Sequence, residues 1–166
     1  GVYGAGEQSF SEQKALLATG ENGFYITSKL CSEVLTDNYQ QFMDIINLRL
    51  FFVYGKMQKS SMLIPRLITN IRENNPISLQ GSNGIFINPI HVSDAVSSVL
   101  AALELKGSHK INIAGPEVFS LRVICELIGE KVGMQPLFEN DLQSSPRHLV
   151  ADVTNMMRLL VTPRRV

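Results

Sequence analysis

Apolar strands alternate with amphipathic helices along this chain, and that alternation predicts an α/β fold. Two segments carry the expectation. DIINLRLFFV at 44–53 is β-branched, aromatic and nearly continuous in apolar character, as a parallel strand buried on both faces is. LRVICELIGEKVG at 121–133 follows a capping serine, Ser120, and closes on Gly133, the pattern of a well-bounded helix. The composition agrees. The 166 residues are 45% hydrophobic and 18% charged, enough for a domain with its own core.

The remaining elements follow in order. Residues 6–20 are polar and read as a loop with a short helical turn. Residues 23–42 read as a helix, with Tyr25, Lys29, Leu30, Val34, Leu35 and Tyr39 mainly at three and four spacing. Tyr54-Gly55 ends the strand at 44–53. SMLIPRLITNIREN at 61–74 reads as a helix, because Pro65 near its start is tolerated and Asn74, Asn75 and Pro76 stop it. ISLQ at 77–80, the turn GSNG at 81–84 and IFIN at 85–88 predict a hairpin. Ser93 and Asp94 are the capping candidates for a helix over 93–105. KINIA at 110–114 is a strand that Gly115-Pro116 stops. A short strand at 136–138, a loop at 140–148 and a helix at 153–160 complete the reading.

Charge and cysteine usage exclude several classes. Lys plus Arg and Asp plus Glu are both 15, so no nucleic acid or anionic membrane partner is expected. No apolar stretch reaches the length of a membrane span. Cys31 and Cys125 sit in apolar helical patterns and are expected as reduced core residues, which fits a cytoplasmic setting. No His or Cys spacing suggests a metal, and His91, between Ile90 and Val92, is expected to be buried and hydrogen-bonded. The chain opens on GVYGA, read as a strand end and turn, and closes on VTPRRV after a helix. It is expected to be one piece of a larger polypeptide.

The candidate chemistry lies in GFYITSKLCSEVL at 23–35. Tyr25 and Lys29 are four apart on one predicted helix, so phenol and ammonium converge on one spot. A tyrosine ordinarily ionises near pH 10, and a fixed cation nearby favours its phenolate, which can take a proton from a sugar or alcohol hydroxyl. Taken alone, the pair fits better a surface lysine beside a half-buried tyrosine, since such spacings are common on helices.

The pair has company in a fixed order: VYG at 2–4, Glu12, FYITSK at 24–29, LRLFFVYG at 48–55, IPRLI at 64–68, IHVSDAV at 90–96, INIAG at 111–115 and ADVTNM at 151–156. Over nearly its whole length the chain resembles the C-terminal half of an extended short-chain dehydrogenase/reductase of the NAD-dependent epimerase/dehydratase kind. The resemblance implies the C-terminal part of a Rossmann-like, doubly wound parallel sheet plus a small α/β substrate-binding subdomain. Residues 1–55 would be the remnant of the NAD-binding domain. Residues 56–166 would form mostly the substrate subdomain, with 90–114 returning to the sheet.

The resemblance makes Tyr25 the catalytic tyrosine of a Tyr-x-x-x-Lys motif and Lys29 its lysine, which also holds the nicotinamide ribose. Tyr54 would contact cofactor, while His91 and Asp94 would be mostly architectural. Phe52 stands where many members carry a substrate-facing Asn, and Ile87 where many carry Arg. Lys56, where Pro is common, joins Arg66 and Arg147 as candidate phosphate contacts, or these three are solvated surface cations. The glycine-rich turn that cradles the dinucleotide pyrophosphate does not occur in this sequence, nor does the family's catalytic Ser or Thr precede VYG here. NAD or NADP is the expected cofactor of the complete protein and a nucleotide sugar its expected substrate. A homodimer, or association with the other half, is the expected assembly. The alternative is a truncated, non-catalytic binding or assembly module.

Overall fold

The computed structural model describes residues 3, 6, 9–14, 23–144 and 148–163. Its elements are α1 (Gly23–Asp37), β1 (Ile45–Leu50), β2 (Val53–Tyr54), α2 (Leu63–Arg72), β3 (Ile77–Gln80), β4 (Phe86–Ile87) and β5 (Ile90–His91). They continue as α3 (Val92–Ala102), β6 (Ser108–Ile113), β7 (Phe119–Ser120), α4 (Leu121–Val132), β8 (Phe138–Asp141) and α5 (Thr154–Leu159). Helices and strands alternate as predicted.

β1 runs parallel to β6, with Ile45 opposite Ser108 and Leu50 opposite Ile113. β1 is apolar along most of its length, and in β6 Ile111 and Ile113 are fully buried against Ile90, Ala95 and Met156. A second core joins Tyr3, Phe10, Phe51, Ala114 and Ala151 at the end of this pair. The third core lies between α2 and α4, where Leu67, Ile71, Ile77, Leu79, Ile87, Ile124 and Cys125 pack together. Ser120 accepts a hydrogen bond from the Val123 N–H (3.2 Å), and Gly133 closes α4 at φ 72°. Both are the roles the sequence predicts for them.

Several expectations are corrected. The segment 77–88 is not a hairpin: β3 pairs in parallel with β8 and β4 pairs antiparallel with β7. Gly81 and Gly84 do make the left-handed turn between them, at φ 66° and 68°, but the chain leaves it toward a different partner. The strand predicted over 44–53 breaks at Phe52, whose φ of 38° is incompatible with a ladder. The helix from residue 23 ends at Asp37 rather than 42. Cys31 is exposed, because no residue of α1 is fully buried, whereas Cys125 is in the core. His91 is exposed rather than buried and, in place of Ser93 or Asp94, caps α3 by accepting from the Ser93 N–H (3.3 Å).

Candidate active site

Tyr25 and Lys29 project from the first two turns of α1, where Ser28 and Ser32 hydroxyls donate back along the helix to the Tyr25 and Ser28 carbonyls. The Lys29 Nζ lies 5.4 Å from the Tyr25 ring centroid, within reach of a cation–π contact. The spacing therefore does what the sequence predicts and brings the two groups together. Tyr25 is 71% exposed, so most of its ring is open to water among the described residues.

Both residues stand at the edge of a cavity of about 720 Å³. Its wall is largely apolar, with Phe52, Met62, Leu63, Ile64 and Ile87 among the side chains that line it. Phe52 sits at the point where β1 gives way to β2, half-buried between two cores. A bulky residue at positive φ is an outlier that the surrounding structure must hold in place. Beyond it, Gln58 donates from Nε2 to the Val53 carbonyl (3.0 Å), while its buried Oε1 has no partner among the described residues.

The other predicted site residues are dispersed. Lys56 and Arg66 are exposed and do not line the cavity. Tyr54 does not line it either; its ring meets His91 edge-on at 5.4 Å, and burial, with Asp94 adding to it, pushes its phenol above the ordinary value. Arg147 lies outside the described residues. The glycine after Tyr54 is required by a close approach, since a Cβ at Gly55 would stand 2.5 Å from Val92 Cγ1.

A polar cluster beneath α1 was not foreseen. The Arg49 Nε and Nη2 donate to the two Glu33 carboxylate oxygens at 3.0 and 2.6 Å. Its Nη1 donates to the Tyr3 hydroxyl and, at 3.2 Å, to the Glu12 carbonyl. Burial opposes the Arg49 charge, but the bonds to Glu33 and Tyr3 outweigh it and hold the guanidinium above its ordinary value. Glu12 in turn accepts from the Asn112 N–H (2.9 Å) and from Asn155 (3.2 Å). The one signal in the sequence was Arg49 itself, a charge inside a mostly apolar strand.

The family model for "NAD dependent epimerase/dehydratase family" matches residues 1–114. The chain belongs to that family. Among curated relatives it is 29% identical to an uncharacterized UDP-glucose epimerase of Bacillus subtilis (strain 168), across 96% of this chain and 51% of that protein. It is 27% identical to a UDP-glucuronate 4-epimerase of Thermodesulfobacterium geofontis (strain OPF15), across 82% of this chain and 44% of that protein. The chain thus spans about half the length of the curated relatives it matches.

Among solved structures, the UDP-glucuronic acid 4-epimerase of Bacillus cereus in complex with UDP-glucuronic acid and NAD superposes with a TM-score of 0.81 at 26% identity. That match covers 99% of this family member and 54% of the Bacillus cereus chain. MoeE5, in complex with UDP-glucuronic acid and NAD, gives 0.80 at 25%, covering 99% and 57%. The family member is therefore α/β with a Rossmann-like arrangement of parallel strands, over about half of each neighbour. No helix among its described residues is long and apolar enough to cross a membrane.

Proposed function

We propose that this chain is the part of a cytoplasmic, NAD-dependent nucleotide-sugar epimerase that supplies the reacting tyrosine and lysine and one wall of the sugar site. The observation that carries the reading is the Tyr25–Lys29 pair at the edge of the 720 Å³ cavity. The relatives named as UDP-sugar epimerases, and the neighbours holding UDP-glucuronic acid and NAD, support it.

The chemistry assigned to each residue is specific. Tyr25 takes the proton from the sugar hydroxyl at the carbon to be inverted and later returns it. Lys29, over the ring, offsets the negative charge that develops on the phenol oxygen, and its remaining N–H donors suit ribose hydroxyls. Phe52, Met62 and Leu63 form an apolar surface for the sugar face. Lys56, Arg66 and Arg147 are assigned to the phosphates on the charge of their side chains alone.

The residues fit the nicotinamide end of NAD, because an exposed phenol and ammonium share one edge of the cavity. NAD, when bound, supplies the hydride acceptor. No glycine-rich turn for its pyrophosphate occurs in this sequence, so that contact belongs to another part of the assembled enzyme. Residues 1–55 are assigned to the cofactor-binding part and 56–166 mostly to the substrate subdomain, with 90–114 completing the sheet. The exposed Phe24, Leu35, Tyr39 and Phe42 on and beside α1 support a further assignment, that this face is covered by a partner chain or by a second copy.

The test is calorimetric titration of UDP-glucose and UDP-glucuronic acid, with and without NAD, followed by proton NMR of the sugar for inversion at C4. Saturable binding is expected. In the complete enzyme, NAD-dependent inversion should fall about 100- to 10,000-fold in Tyr25→Phe. Absence of nucleotide-sugar binding, or full turnover by Tyr25→Phe, overturns the reading.

A further inference from the structure

The helix carrying Tyr25 and Lys29 has no fully buried residue; Ile26 and Leu30 are only half-buried. Apolar packing therefore fixes its placement weakly, and polar contacts must do more. Among the described residues, three side chains of α1 bond to side chains elsewhere. Thr36 meets Asn47 at 3.4 Å, a marginal distance. Asp37 pairs with Lys110 at 2.6 Å, at the last turn of the helix, with both side chains about a third exposed (33% and 34%). Glu33 meets Arg49, with side chains only 12% and 6% exposed.

The Glu33 contact differs from the others in three ways. It is the nearest of them in sequence to the reacting pair, one turn beyond Lys29 and two beyond Tyr25 on adjoining positions of the helix. It is two-pronged: both carboxylate oxygens meet separate guanidinium nitrogens, which constrains rotation as well as distance. Its far end is itself fixed. Arg49 stands in β1 opposite Asn112 of β6, and its third nitrogen is held by the Tyr3 hydroxyl and the Glu12 carbonyl.

We propose that Arg49 is a positioning residue: acting through Glu33, it sets the rotation and depth of α1 over the sheet and so the placement of Tyr25 and Lys29 at the cavity. Its meaning for catalysis rests on the assignment of Tyr25 and Lys29 above, but the geometry is testable without turnover. An ion pair that only added stability would, when weakened, lower the melting temperature and leave the tyrosine where it is.

The protein has four tyrosines, so ring-labelled tyrosine gives a short NMR spectrum in which Tyr25→Phe identifies the Tyr25 signal. Arg49→Lys keeps the charge and removes the fork. Glu33→Gln removes the charge and leaves the bonds of Arg49 to Tyr3 and Glu12. Lys110→Met breaks the other charged contact of α1. In Arg49→Lys the Tyr25 ring signal should shift. The ring signal should shift in Glu33→Gln as well and stay in place in Lys110→Met.

A Tyr25 signal unmoved in both folded variants overturns the proposal, and so does an equal shift in Lys110→Met. If Arg49→Lys does not fold, the ring signal in Glu33→Gln decides. Failure of nucleotide-sugar binding would sink the functional reading and leave this result standing. An immobile Tyr25 signal would sink only the positioning role.

Discussion

Gly115→Ala tests how closely the strand ends are packed beside the cavity. The Gly115 N–H donates to the Asn88 carbonyl at 3.1 Å, and the Asn88 amide returns a bond to the Gly115 carbonyl at 3.2 Å. A Cβ on Gly115 would stand 2.0 Å from the Pro89 carbonyl oxygen and 3.1 Å from its carbon. The obstacle is backbone, so no side chain can rotate away, and the two segments must separate by more than an ångström. Overpacking of that kind costs about 1–3 kcal/mol. Each of the two lost hydrogen bonds adds about 0.5–1.5 kcal/mol. Stiffening of the unfolded chain offsets about 0.4–1 kcal/mol.

Mid-range values give a net loss of about 3 kcal/mol, which lowers the melting temperature by about 6–12 °C in a chain of this size. Thermal and urea unfolding followed by circular dichroism measure it, and hydrogen exchange at the Gly115 amide locates it. Pro89 also lines the cavity, so ligand affinity should fall with stability. A variant that melts within about 2 °C of the parent, with the Gly115 amide still protected, would refute the reasoning.

Three further outcomes are expected. Ser120→Ala removes the cap of α4 and should cost about 1 kcal/mol in urea unfolding, with Ser120→Gly costing less. Ellman's reagent at pH 8 should label Cys31 alone in the folded protein and both thiols in denaturant, because desolvation, reinforced by Glu126 and opposed by Arg122, pushes the Cys125 thiol up to about 11. The same shift fixes a pH trend. The Cys125 thiol keeps its proton longer folded than unfolded, so its contribution is intact below the ordinary value of 9.0 and is lost as pH rises toward about 11. Burial also raises the Tyr3 and Tyr54 phenols from 10.0, which acts in the same direction, and melts from pH 8 upward should show falling stability.

Where local chemistry decides structure, reading the residues succeeded. Ser120 and Gly133 bound α4 because a cap hydroxyl and a left-handed glycine act within one turn. The Tyr25–Lys29 pair was legible because a four-residue spacing is a property of the helix itself. What depended on distant partners was not. The GSNG turn does reverse the chain, but whether the flanking strands pair depends on Phe138–Asp141 and Phe119–Ser120 competing for them. Cys31 was misplaced because an apolar helix pattern says nothing about whether a second surface arrives to cover it. The Glu33–Arg49 contact spans a helix, a turn and a strand, so no periodicity announces it. Lys56 and Arg66 were chosen by position in a motif, and both are exposed outside the cavity lining.

The pairing pattern also bears on how such a chain is made. Among the described residues, no strand pairs with the next one along the chain: Ile45 waits for Ser108, Val53 for Ile90, Ile77 for Phe138 and Ile87 for Phe119. During synthesis, β1 emerges from the ribosome long before β6 exists, carrying apolar residues and an unsatisfied backbone. Loop closure over such separations is slow, and a strand kept waiting is open to wrong partners. The helices Gly23–Asp37 and Leu63–Arg72, which need only local bonds, can form in that interval and stand beside the strand until its register arrives. The risk of aggregation should accordingly peak while residues 45–50 are out and 108–113 are not.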